Sequence, residues 1–261
     1  MASDKKTIMF LAAHPADPFD CAAGTIALHA EKGDRVVVVS VTPGARSHAP
    51  KVYGGDVQQN MTDERERELY EETVDVKKGE FREACEAVGA EMVCMDFVDE
   101  PFWPSKEVLV AIGDCYREYR PDLLVTHHKT ELNNHDHPVV GEQAIRAVTS
   151  ASRWLPGSRR PPHLVKDVFF FGQQFRRLPA VYHGANPLPF THIVDIESVI
   201  ETKILALRAF KSQAYAGMDY DSDEYIRSRI ESIEGNYGLE NGLKYGEIFY
   251  RLKPIITKAL S

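Results

Sequence analysis

The chain has 261 residues, 43% of them hydrophobic and 27% charged, a size and balance that suit a globular fold with a substantial buried core. A formal charge of −8, with no basic stripe to offset it, argues against nucleic acid as a partner. No apolar run reaches membrane-spanning length and MASDKK leads straight into a strand-like segment, so neither a membrane span nor a signal peptide is expected, and the expected compartment is cytoplasmic.

In chain order, TIMFLAA is an apolar run of strand length, followed by HPAD and then by DCAAGTIALHAEKG. There Ala22, Ala23, Ile26, Ala27 and Ala30 repeat on one helical face and Gly33 supplies a stop, while Asp20 reads as a helix cap. RVVVVSVT, EMVCMDFV and DLLVTHH read as strands buried on both faces, separated by the helical patterns VKKGEFREACEAVGA and SKEVLVAIGDCYREY. Strand, helix, strand in this rhythm predicts βαβ units and hence a doubly wound, mostly parallel α/β sheet with helices on both faces. Residues 49–75 interrupt it with a Gly- and Pro-containing loop and a charge-dense exposed helix, in which Arg67 and Glu71 are four apart. After the helix PVVGEQAIRAVTSAS and the loop WLPGSRRPPH come two strand candidates, VKDVFFFGQ and THIVDIE. A long amphipathic helix over 198–215 and further C-terminal helices are expected to close the chain. No composition break divides it, so residues 1–261 read as one domain. Cys21, Cys85, Cys94 and Cys115 form no CxxC pair and read as buried free thiols.

His14 and Asp17 follow the first strand's C-terminal end, the edge at which open α/β sheets bind ligands. Imidazole and carboxylate both ligate zinc, and a catalytic zinc keeps three protein ligands and an open position. HxxD alone is a common accident. A second polar cluster, THHKTELNNHDHP, leaves another strand at the same edge, and packing rarely produces two. His137 lies where that segment turns into a helix, with Pro138 suited to the first turn, and Asp136 beside it is placed to orient a ligating imidazole. His29, on a helix, and His192, opening a strand, read as ordinary histidines. Position 16 is alanine, so a proton acceptor must come from elsewhere. His48, His128, Asp136 and, with less support, Asp20 are the candidates. Of His127 and His128, one faces the site and its neighbour away; alternation alone does not say which. Arg46 follows the second strand at the same edge and is a candidate for gripping a substrate carboxylate, with a plain surface arginine as the equal alternative. Arg176 and Arg177 are further carboxylate-binding candidates.

AHPAD, GTIALHAEKGD, NHDHP and VDIESVIETKILALRAFKSQ, in this order over nearly the whole chain, resemble the LmbE/PIG-L family of zinc-dependent deacetylases. That family's motifs are AHPDD and HPDH. The resemblance implies a Rossmann-like fold, one Zn2+ held by His14, Asp17 and His137, a small-molecule substrate and a homo-oligomer. It also implies substrate binding by Lys77, which aligns with a basic residue of the deacetylases and reads here as the head of a helix, where a cation is electrostatically unhelpful. Two positions depart. The general-base aspartate is Ala16 here, and the first histidine of HPDH, which steadies a charged intermediate, is Asn134. Each such role is worth roughly 10²–10⁴-fold. At those two positions the chain resembles the family's 4-oxalomesaconate hydratase branch, which has AHSAD- and NPDH-type motifs and uses zinc in a lyase reaction. Such a hydratase adds water to a conjugated double bond and protonates no amine. That branch carries GERGES where this chain reads GARSHA, and a histidine near FFGQQF, so His48 and Gln173 or Gln174 are the nearest replacements. The expectation is a zinc enzyme of hydratase type acting on a small anionic oxo-acid. N-Deacetylation of an acetylamino sugar is the alternative, and a non-catalytic metal- or sugar-binding protein the third reading.

Overall fold

In the computed structural model, which describes residues 5–47, 62–131, 134–154, 160–172, 190–213 and 223–253, the apolar runs become the strands of one seven-stranded sheet. These are β1 (Thr7–Ala12), β2 (Arg35–Ser40), β3 (Glu91–Cys94), β4 (Leu123–Thr126), β5 (Asp167–Phe171), β6 (His192–Asp195) and β7 (Gly246–Arg251). Their spatial order is β3-β2-β1-β4-β5-β7-β6. The first five strands pair in parallel, and β7 runs antiparallel to both neighbours. The helices are α1 (Asp17–Glu31), α2 (Asp63–Val88), α3 (Lys106–Tyr119), α4 (Asp136–Ala151), α5 (Ile200–Arg208), α6 (Asp223–Ile230) and α7 (Asn236–Glu240).

The strands read as unbroken apolar runs because both faces are covered. Ile8, Phe10, Val36 and Val38 join the core beneath α1, α2 and α5. Met9, Leu11, Val37 and Val39 point the other way, into the core beneath α3 and α4. From β1 the chain proceeds outward through β2 and β3, then returns to place β4 on the other flank of β1. The strand order therefore reverses between β1 and β4, the switch point where such sheets leave a crevice.

Three expectations are corrected. The charge-dense helix and the one after it are a single 26-residue helix, α2, capped by Thr62, whose Oγ1 accepts from the Arg65 N–H, and ended by Gly89 at φ 70°. Nothing near residue 76 breaks it. The helix expected over 198–215 is a 3₁₀ turn (Glu197–Val199) plus the nine-residue α5, so it stops well short of residue 215. The described chain closes on a strand rather than on helices: β7, GEIFYR, inserts between β5 and β6. No helix among the described residues is long and apolar enough to cross a membrane. All four cysteines are free thiols, three of them buried and Cys94 half-buried.

Candidate metal centre at the strand switch point

His14 and Asp17 leave β1 and open α1; His127 leaves β4, and His137 sits in the first turn of α4. Because β1 and β4 are neighbours, these chain-distant residues arrive together. The HPAD turn is fixed by its own polar groups. The His14 N–H donates to Asp17 Oδ2 at 2.9 Å, and the Asp17 N–H to the His14 carbonyl at 3.3 Å. Asp17 is the first residue of α1, where the helix dipole favours a carboxylate. Asp20 is not the cap. Ala16 occupies that position without a side-chain bond, and the Asp20 carboxylate lies 3.0 Å from Arg229. The loop after β2 passes close by: a Cβ on Gly44, at φ +67°, would meet Pro15 at 3.1 Å.

Asp17 Oδ2 lies 3.3 Å from His14 Nδ1, 3.3 Å from His137 Nε2 and 3.2 Å from His127 Nε2. Two further carboxylates hold the imidazoles from outside. Asp136 Oδ2 is 3.1 Å from His14 Nε2, and Glu131 Oε2 is 2.5 Å from His137 Nδ1. Asp136 itself accepts the N–H groups of Phe102 at 2.8 Å and Glu100 at 3.1 Å. Burial disfavours charge on His14 and His137, yet Asp17 and the outer carboxylates prevail and raise them to about 10 and about 9. Burial pushes against ionisation of Asp17 too, but His137 and His14 hold its carboxyl well below the usual range. Asp136, despite burial, is brought down to about 2 by His14 and the two backbone N–H groups. Burial and the neighbouring His137 lower His127, leaving it neutral.

This is an electron-rich nest that calls for a cation. His14, Asp17 and His137 each offer a ligand atom within 4.8 Å of the others, all three are buried, and His137 Nε2 makes no hydrogen bond among the described residues. The donor set fits a divalent metal. A second grouping, His127 with Glu131 and His137, is less apt. Glu131 already holds the His137 ring, and His127 Nε2 accepts the Ala13 N–H at 3.0 Å.

The remaining candidates are placed as follows. Asp136 orients His14, not the adjacent His137, and Asn134 Oδ1 accepts the Asp136 N–H at 2.8 Å at the entrance to α4. His127 takes the inward position. His128 turns aside, its Nδ1 2.7 Å from Thr130 Oγ1 and its ring edge-on to Phe170. The Arg46 guanidinium reaches Glu66 on α2 at 2.7 Å and lies over the Tyr70 ring. Lys77 is buried at 2% exposure in the middle of α2, so the helix-head argument for it fails. Burial lowers its ammonium to about 8, with Glu80 and Asp99 opposing. His48, Gln173, Gln174, Arg176 and Arg177 lie outside the described residues.

Three residues near the cluster escaped the sequence reading. Glu131 stands six residues before His137 in the histidine-rich segment, a findable signal for an orienting carboxylate. Ser47 Oγ lies 3.0 Å from His14 Nε2. Asp99, fully buried after β3, accepts the N–H groups of Arg46 at 2.9 Å and Ser47 at 2.7 Å through Oδ2, while its buried Oδ1 makes no hydrogen bond among the described residues.

Residues 9–148 match the PIG-L family, described as GlcNAc-PI de-N-acetylase. The chain is 30% identical over 272 residues to a 4-oxalmesaconate hydratase of Pseudomonas putida, an alignment covering 100% of this chain and 95% of that one. It is 26% identical over 255 residues to a diacetylchitobiose deacetylase of Thermococcus kodakarensis, covering 94% and 82%. Among solved structures, the 4-carboxy-2-hydroxymuconate hydratase of Pseudomonas putida shares the fold at a TM-score of 0.76 and 24% identity, covering 98% of this chain and 100% of that one. Matched by the family over more than half its length and by a relative from end to end, the chain belongs to the PIG-L (LmbE-like) family.

Proposed function

We propose that the protein is a zinc-dependent, water-activating enzyme that hydrates a small anionic oxo-acid. The observation that carries this reading is position 16. Ala16 is 3% exposed and packed into the core beside Asp17, so the ligand set is complete while the place of the deacetylases' second aspartate holds only a methyl group. The hydratase of Pseudomonas putida, similar along the full chain, supports the same choice. Zinc suits two imidazoles and a carboxylate, and when bound it lowers the pKa of its water toward ~7 and polarises a substrate oxygen.

The chain's own groups divide the rest of the work. Asp136 and Glu131 stay outside the ligand shell and fix the His14 and His137 rings. Asp136, with its carboxyl near 2 and four partners around it, is an orienting group rather than a base. Asp99 lies close enough to His14 and Lys77 for its charge to favour the protonated form of each, against their burial. His48, one residue beyond Ser47, is the candidate proton acceptor. Lys77 supplies a buried positive charge for an anionic substrate. Adding water to a conjugated double bond requires one proton removed from water and one delivered to carbon, with no amine to protonate.

De-N-acetylation is the second reading, because the family match spans the entire metal centre. The two separate in one assay. Zinc-loaded protein is given 4-oxalmesaconate, followed by loss of conjugated absorbance, and in parallel N-acetylated sugars, followed by amine release. Zinc-dependent absorbance loss is expected. Amine release without hydration overturns the proposal.

A further inference from the structure

The same face of the sheet that carries α1 holds an apolar pocket of about 160 Å³, remote from the metal centre. Phe10 of β1, Val125 of β4, Phe169 of β5 and Phe249 of β7 form its floor, and the imidazoles of His29 and His192 stand among its walls. We infer that this pocket is a second binding site, for a small uncharged aromatic molecule.

Three observations carry the inference. The first is chemical character. No Asp, Glu, Lys or Arg is among the described residues that line the pocket, and the polar Thr25 in its wall is engaged elsewhere, its Oγ1 donating to Glu247 at 2.7 Å. Three phenylalanine rings provide the edges and faces against which an aromatic guest packs. The histidines are anchored through Nδ1, at 2.7 Å from Asp34 and 2.8 Å from Thr191, which leaves Nε2 as the other polar atom of each ring. A single hydroxyl on the guest therefore finds a partner, whereas for a carboxylate the nearby cation, Arg251 over the Phe169 ring, is already bound to Asp167 at 2.8 Å. The second is size. A cavity of ~150 Å³ lined by Leu, Ile and Phe stays dry and takes up benzene. The third is preorganisation. Phe10 is 0% exposed, Phe249 4% and Val125 6%, so the floor exists before any guest arrives.

The pocket is not an extension of the metal centre. Phe10 lies four residues before His14, roughly 13 Å along a strand. His29 lies twelve residues beyond Asp17, roughly 18 Å along α1. Both elements bear a metal ligand at one end and a pocket wall at the other.

Phenol and benzene, titrated into the zinc-loaded full chain and followed by calorimetry and ligand-observed NMR, test the site without turnover. Saturable one-to-one binding of both is expected, with benzoate binding at least about tenfold more weakly. Val194, half-buried on edge strand β6 and part of the wall, offers a blocking variant. Val194→Trp is expected to weaken phenol binding more than tenfold while leaving the zinc content unchanged. Should that variant not fold, magnetisation transfer between bound phenol and the Phe10 and Val125 side chains in the unmodified protein decides the location. Absence of saturable binding, binding that Val194→Trp leaves intact, or a self-associated protein whose pocket excludes phenol until it dissociates would each overturn the inference.

Discussion

At the end of β1, Asp17 is surrounded by three imidazoles; beneath the middle of α1, Glu247 and Glu234 are joined to Lys203. Both groups are buried. Lys203 Nζ lies 2.7 Å from Glu247, 2.9 Å from Glu234 and 3.0 Å from the Asp20 carbonyl, and Glu247 also accepts the N–H groups of Gly24 and Thr25. Burial opposes its charge, but the two glutamates hold the ammonium well above its ordinary value. That cluster contains its own fixed cation, and it fastens α1, α5, the π-turn (Glu231–Gly235) and β7 together. Around Asp17 the positive charge resides on His14 and His137, which bear it only as removable protons. A cluster with a permanent cation serves as a cross-link. One whose cation can be exchanged is suited to binding a metal.

Asp17→Asn is where this contrast breaks most completely. It removes the proposed anionic ligand and leaves the fold-anchoring Lys203 cluster untouched, so the variant is expected to fold, to purify without stoichiometric zinc and to fall to background activity. Metal analysis and circular dichroism check this, and one tightly held zinc per folded chain of the variant would refute the assignment of the centre. Lys203→Met is the mirror experiment. It strands two buried glutamates and is expected to cost about 3–5 kcal/mol in urea unfolding, while the folded fraction keeps its zinc. A cost under about 1 kcal/mol would mean that the glutamates find compensation elsewhere.

The same contrast explains what the sequence could show. β1, β2 and β4 are legible because their side chains are apolar on both faces, and His14, Asp17 and His137 because they stand where neighbouring strands end. β7 was missed since Glu247 makes GEIFYR look like a polar surface segment; its counter-charge, Lys203, is 44 residues away. Ser47 and Asp99 meet through a loop contact spanning 52 residues and belong to no periodic pattern. The pair His127 and His128 could be split but not assigned, because alternation fixes opposite directions without fixing which residue takes the core side. The Ala13 N–H, donating to His127 Nε2, makes that choice.

Subtler changes sharpen the comparison by altering how firmly a cluster is held rather than what it holds. Glu131→Gln keeps a neutral acceptor beside His137 Nδ1 but removes the charge that orients and enriches the ring. Zinc affinity is expected to drop about 10–100-fold in a competition titration against a chelator. An unchanged affinity would exclude Glu131 from the outer shell.

Asp34 lies between the two types, a buried carboxylate served by one backbone N–H, one imidazole and, more loosely at 3.7 Å, the half-exposed Lys32 ammonium. Its Oδ1 accepts the Lys6 N–H at 2.9 Å and its Oδ2 lies 2.7 Å from His29 Nδ1, tying the entry of β1 to the end of α1. Burial alone would raise its pKa, but the Lys6 N–H, then the hydrogen bond from His29 and the charge of Lys32 outweigh that, and the carboxyl titrates below its ordinary value. A depressed folded-state pKa contributes stability that is present above the unfolded aspartate value of about 3.9 and disappears as pH falls through the folded one. Asp34→Asn is therefore expected to cost about 1 kcal/mol at pH 7, the scale of one hydrogen bond. In urea unfolding the gap between the two proteins should begin to close below about pH 4, as the unfolded chain's carboxyl takes up its proton, and should be gone once the native carboxyl is protonated too. A gap that persists undiminished in acid would assign the effect to packing, and would place Asp34 with neither the cross-link nor the binding site.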